Sequence, residues 1–183
     1  CGGGLSGLIC SLALSNIGIS SFCIDKSANI KKNQIDTRST AYLNPSKEFL
    51  DDIGVWKHLS KNANPLKTLS IVNSGTGFPY NNIISETKFN AIEIFQDEFG
   101  WNINNNQTKK ILLELVEKDK MINFENDEII NIKEFDETLT VCLKNKKQIN
   151  TKLLIGADGR NSFIRNNYNI NVNIDSLDQK AIT

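Results

Sequence analysis

Near its start the chain reads CGGGLSGLIC, which places Gly2, Gly4 and Gly7 at the spacing G-x-G-x-x-G. Glycines so spaced can close a tight turn, let a backbone approach a pyrophosphate, and seat a helix closely on a strand. A helix beginning there offers free N–H groups and a partial positive charge to phosphates. Asp25 follows 21 residues after Gly4 and 18 after Gly7. An acid about 20 residues on, at a strand tip, can accept from ribose hydroxyls. A carboxylate there favours an unphosphorylated ribose, because a 2′-phosphate would meet a like charge. The pattern predicts an adenine-dinucleotide site, for NAD or for FAD. The glycines by themselves also fit a purely structural turn.

A second stretch, LIGADGRNSFIR (154–165), has comparable chemistry. A buried strand over 153–155 would deliver Gly156, Asp158 and Gly159 to a turn, with Arg165 on the next helical turn. An Asp held between glycines can accept from sugar hydroxyls or cap the helix that Asn161 or Ser162 begins. A plain strand-to-helix turn is the alternative for this stretch alone.

The rest of the composition narrows the field. A chain of 183 residues with 39% hydrophobic content can build a domain core. Lys+Arg and Asp+Glu balance at 21 each, so no overall field favours nucleic acid or an acidic partner. No apolar run approaches the roughly 20 residues of a membrane-spanning helix, and no secretory signal precedes the body. Cys1, Cys10, Cys23 and Cys142 are scattered, without C-x-x-C, so zinc and redox-dithiol sites are not expected. These thiols read as buried and inert, in a reduced, cytoplasmic setting. His58 is the single histidine; it reads as a surface residue and leaves no Ser-His-Asp apparatus. No metal ligand set and no catalytic side chain stand out.

The elements that must position these motifs follow from periodicity. Leu5, Leu8, Ile9, Leu12 and Ile17 fall at helical spacing before Gly18. ISSFCID (19–25) reads as a buried strand, 26–40 as a polar loop, and KEFLDDIGVWKHL (47–59) as an amphipathic helix with a bend near Gly54. Strands are expected over 66–73, 82–86 and 89–96, a helix over 107–118, and strands over 121–125, 128–135 and 138–143. Strand and helix alternating at the start predict an α/β layer, and the hairpin-like middle predicts an added antiparallel sheet.

Read together, these stretches resemble a known family. G-A-D-G-x-x-S-x-x-R is similar to the second cofactor motif of class A flavoprotein monooxygenases, the para-hydroxybenzoate-hydroxylase-like group. DTRSTAYLNPSKEFLDDIGVW (36–56) resembles the segment after the second strand in their ubiquinone-biosynthesis branch. FGWNINNNQTKKILLEL resembles that branch's stretch before the flavin-lining helix, and DQKAIT the start of its next substrate-domain segment. Asn104 stands where the branch often has an acid, and Thr108 where it has leucine.

The resemblance implies a Rossmann-like, α/β FAD-binding domain joined to part of an antiparallel substrate-domain sheet. It divides the chain into a first FAD-binding part (1–70), substrate-domain strands (71–98), a second FAD-binding part (99–172) and a further substrate-domain start (173–183). FAD would lie with its ADP half on the Gly2–Gly7 turn, Asp25 and Lys26. Arg38 matches an arginine near the pyrophosphate, Asn105 a polar contact to the ribityl region, and Asp158 and Arg165 the acid and arginine of the second motif. The implied reaction hydroxylates an aromatic ring of a ubiquinone precursor, using O₂ through a flavin hydroperoxide and electrons from NAD(P)H or another donor. Its polyprenylated substrate implies peripheral association with the inner membrane or with other enzymes. Another FAD oxidoreductase (reductase, dehydrogenase or halogenase) and a non-catalytic dinucleotide-binding protein are the alternatives. The strand expected before the glycine turn and the family's third motif are both missing from the chain. The 183 residues alone are therefore expected to bind FAD poorly and to aggregate.

Overall fold

The computed structural model describes residues 1–26, 36–74 and 83–177. Residues 27–35 of the loop expected over 26–40, and the DQKAIT segment, lie outside them. The helices are α1 (Leu5–Asn16), α2 (Asn44–Asp52), α3 (Trp56–Leu59), α4 (Asn105–Lys118) and α5 (Phe163–Asn167). The strands are β1 (Ser21–Ile24), β2 (Ser39–Leu43), β3 (Asn64–Leu66), β4 (Thr68–Ser74), β5 (Ile83–Asn90), β6 (Gly100–Asn104), β7 (Ile122–Glu125), β8 (Ile129–Phe135), β9 (Thr138–Leu143) and β10 (Gln148–Thr151). The chain divides into two compact units, Cys1–Thr37 with Thr108–Thr183, and Arg38–Gln107.

In the first unit, α1 buries Gly7, Leu8, Ser11 and Leu12, one stripe at the helical repeat. β1 follows and pairs in parallel with β7, Ser21 opposite Ile122 and Ile24 opposite Glu125. Residues Cys1 and Gly2 extend this parallel arrangement on the other side of β1. Gly2 N–H donates to Ile24 O at 2.8 Å, and Ala157 N–H donates to Cys1 O at 2.7 Å. The Cys1 nitrogen donates in turn to Ile155 O at 2.7 Å. Cys1–Gly2 thus lies in a ladder between β1 and 155–157.

β8, β9 and β10 form an antiparallel meander in the order β10-β9-β8. Its inward residues Ile129, Val141, Leu143 and Ile149 pack with Ile24 and with Ile164 of α5 into one buried cluster. Cys1 packs against that cluster, so the residue that leads into the glycine turn is anchored on the core. Of the four cysteines expected to be buried, only Cys23 is, and burial pushes its thiol up; Cys1, Cys10 and Cys142 are half-buried.

The expected strand over 153–155 needs correction. The last strand, β10, ends at Thr151; beyond it Ile155 and Ala157 bond, among the described residues, only to Cys1, and Leu153 and Ile155 are 68% and 37% exposed. Beside them an open trough of about 540 Å³ is lined by Leu14, Phe22, Val141, Ile149, Leu153 and others. Apolar side chains facing that space gain little burial, which is why an apolar run here is not a buried strand.

The second unit carries an antiparallel sheet in the order β2-β6-β3 and a β4–β5 hairpin. Trp56 and Trp101 meet edge to face with ring centres 5.3 Å apart, and Leu50, Val55 and Leu59 are buried. Three expectations change here. β2 begins inside the stretch expected to be loop, because Ser39–Leu43 gains a full partner in β6. The single helix expected over 47–59 is α2 and α3, separated at 53–55. The strand expected over 89–96 stops at Asn90. There Asn90 and Glu93 close a capping box, Ala91–Ile94 turn as a 3-10 helix, and Phe95 adopts φ 58°. His58 is exposed, as expected. Among the described residues no helix is long and apolar enough to cross a membrane.

Candidate functional site

The first turn is shaped by what its glycines lack. A Cβ on Gly7 would stand 1.8 Å from Gly2 O, and a Cβ on Gly2 would stand 2.2 Å from Ala157 O. Gly2 also adopts φ +107°, a region that side chains avoid. Both positions are closed to any other residue by backbone atoms that cannot step aside. Gly4 differs: a Cβ there would meet no protein atom within 4 Å, and its φ is an ordinary −75°. The protein's own packing therefore does not require glycine at 4. Gly4 lines an open pocket and is the N-cap of α1, where no side chain caps the helix. The first-turn N–H groups and the helix dipole are left to whatever enters.

Asp25 follows β1 directly, and its Oδ2 accepts from Gly3 N–H. The carboxylate is thereby fixed against the turn. Sequence reasoning passed over Gly3. The signal was the unbroken triplet at 2–4, since a Cβ on Gly3 would lie 2.7 Å from Asp25 Cβ.

The second turn is built the opposite way, from side-chain hydrogen bonds. Ser162 Oγ donates to Asp158 Oδ1 at 2.6 Å, and Ile164 N–H donates to Asp158 Oδ2 at 3.1 Å. Ser162 Oγ then accepts from Arg165 N–H at 3.0 Å, so Ser162 is the N-cap of α5 and Asp158 its buttress. Burial pushes the Asp158 carboxyl up, but Ser162 and the backbone N–H groups of Ile164, Asp158 and Phe163 together hold it below its ordinary value. The Arg165 guanidinium donates to Arg160 O at 2.6 Å. It thus ties the loop of this turn and does not line the pocket.

One pocket of about 520 Å³ gathers both turns: Gly2, Gly4, Asp25, Lys26, Asp158 and Gly159 all line it. Gly7 supports it from behind, through its contact with Gly2. Lys26 Nζ reaches Glu128 Oε1 at 2.8 Å. The hydrogen bond and charge of Glu128 hold the ammonium above its ordinary pKa, and Lys26 holds Glu128 below its own. Glu128 lies 102 residues away in sequence, so no local pattern pointed to it. Arg38 and Asn105 belong to the second unit, where Asn105 N–H donates to Arg38 O at 3.0 Å and Thr40 Oγ1 donates to Asn105 Oδ1 at 2.7 Å. The neighbouring Asn104 is occupied as a helix cap, accepting from Asn106 N–H at 3.0 Å. Thr108, at the position of the expected leucine, is fully buried. Among the described residues no cluster of side chains could hold a metal ion.

Known proteins share this fold. The chain is 26% identical over 168 residues to the FAD-dependent monooxygenase olcE of Penicillium canescens, covering 90% of this chain and 34% of that protein. Among solved structures, its fold is similar to that of the flavin-dependent monooxygenase PieE, solved with FAD and substrate. There the TM-score is 0.74 at 17% identity, over 94% of this chain and 31% of that one. The p-nitrophenol 4-monooxygenase PnpA from Pseudomonas putida DLL-E4 gives a TM-score of 0.71 at 20% identity, over 90% of this chain and 41% of that one. The chain thus spans about a third of the length of the curated relative it matches. A family model described as "FAD binding domain" matches residues 1–180, nearly the whole chain, and the chain belongs to that family of FAD-binding domains.

Proposed function

We propose that this chain is the cofactor-holding part of an FAD-dependent monooxygenase that hydroxylates an electron-rich aromatic ring. The observation that carries the reading is the open face at Gly4, at an uncapped helix start and between two carboxylates lining one pocket. FAD fits these residues. Its diphosphate would lie on the Gly2–Gly7 turn, where only Gly4 leaves backbone open to close approach. Asp25 and Lys26 would hold the adenosine side and Asp158 a sugar or ribityl hydroxyl.

Bound FAD supplies the electron transfer to O₂ that such hydroxylation needs. In balance, an aromatic C–H, O₂, NAD(P)H and a proton give C–OH, water and NAD(P)⁺. The chain's own share is to bind the cofactor, fix its orientation and exclude water. The finer reading takes the substrate as a polyprenylated phenol on the way to ubiquinone, met at a membrane surface. It is supported by the 36–56 stretch, which resembles that branch.

The test is made on the intact protein. A bound-flavin spectrum and O₂-dependent hydroxylation of a prenylated phenol are expected. Oxidation of NAD(P)H without a hydroxylated product would instead favour a reductase or dehydrogenase on the same scaffold. Asp25→Ala is expected to weaken FAD retention about tenfold, the worth of a charge-assisted hydrogen bond. Unchanged retention, followed by flavin fluorescence on dilution, would remove Asp25 from the ribose.

A further inference from the structure

The pocket that joins the two turns has an unfavourable charge for a diphosphate. Four acids line it, Asp25, Asp127, Glu128 and Asp158, against two lysines, Lys26 and Lys109. A ligand bringing two more negative charges needs a cation that is free to meet them. Lys26 is not free, because its ammonium lies 2.8 Å from Glu128. The acids are also engaged. Asp127 accepts from the N–H groups of Glu128 and Asn145, and Asp158 holds the start of α5. Lys109, in the first turns of α4, is half-buried and makes no ion pair with any described residue. A lysine stem laid along a pocket wall keeps its charged end toward the open space.

We propose that Lys109 is a further cation that meets the diphosphate of the dinucleotide, in addition to the Arg38 expected from the family resemblance, while Lys26 and Glu128 act as a tied pair at the rim. The assignment rests on the FAD reading above. No local pattern in the sequence singles out Lys109, because KK at 109–110 looks like one solvated helix face.

The experiment titrates flavin-free intact protein with 5′-ADP and, separately, with adenosine. Lys109→Gln is expected to weaken 5′-ADP about tenfold and to leave adenosine within about twofold. Lys109→Arg is expected to recover most of the 5′-ADP affinity. Lys110→Gln makes the same charge change on the exposed side of the helix and is expected to match the unmodified protein. Unchanged 5′-ADP affinity in Lys109→Gln overturns the assignment, as does equal loss of both ligands. An equal effect of Lys110→Gln overturns it too, since the effect would then be one of overall helix charge. If the unmodified protein binds neither 5′-ADP nor adenosine, the FAD reading itself falls, and Lys109 with it.

Discussion

The two turns that meet at the pocket reach similar precision by opposite means. The turn at Gly2–Gly7 is defined by missing side chains: backbone oxygens occupy the space where Cβ atoms would go. The turn at Gly156–Arg165 is defined by side chains present, with Asp158 and Ser162 sharing the start of α5 between them. Steric exclusion against backbone is all or nothing, because neither partner can move. A hydrogen-bonded buttress is graded, because one acceptor can be lost while the other stays. The two turns also touch, since Gly2 faces Ala157 O.

Substitutions separate the two designs. Gly7→Ala has the largest expected effect. Its Cβ would sit inside the contact radius of Gly2 O, and the intact protein should lose about 3 kcal/mol or more of stability together with its flavin. Thermal unfolding and the flavin-to-protein absorbance ratio measure both. An ordinary, flavin-loaded Gly7→Ala protein would show that the turn yields, and would break the contrast. Asp158→Ala comes next, at about 1–2 kcal/mol for a lost helix buttress, with Asp158→Asn losing less.

That buttress also carries a pH signature. The folded carboxyl titrates below its ordinary value, so its contribution is complete above the ordinary Asp pKa of about 3.9. It is lost as pH falls through the lower, folded value. Acid unfolding of Asp158→Ala should accordingly be less steep than that of the unmodified protein. Gly4→Ala has the smallest expected effect on stability, near zero, because its Cβ meets nothing. It should nevertheless weaken FAD binding, by placing a methyl where backbone and phosphate would approach. Loss of stability without loss of flavin at Gly4 would reverse the reasoning.

The parts legible in the sequence were those whose signals are local. The helical spacing of Leu5, Leu8 and Leu12 and the β-branched run of β8 and β9 decide their elements almost alone. The glycine spacing and Asp25 announce the pocket, because each residue type has a distinct backbone or charge role. What escaped depends on partners far along the chain. β2 and β6, STAYL and GWNIN, carry few strand signals and form because they pair with each other across some 60 residues. The stretch 91–95 looks like a strand by composition, yet the Asn90–Glu93 capping box turns it within four residues. The link between Lys26 and Glu128 has no local trace at all.

The ladder from β1 through Cys1–Gly2 to 155–157 works as a ruler. Asp25 ends the first of these segments and Asp158 follows the third, with the glycine segment between them. The backbone segments that carry them are two interstrand spacings of about 4.8 Å apart, so roughly 10 Å. The spacing of the two acids is therefore a property of the backbone ladder and belongs to the fold before it belongs to either side chain.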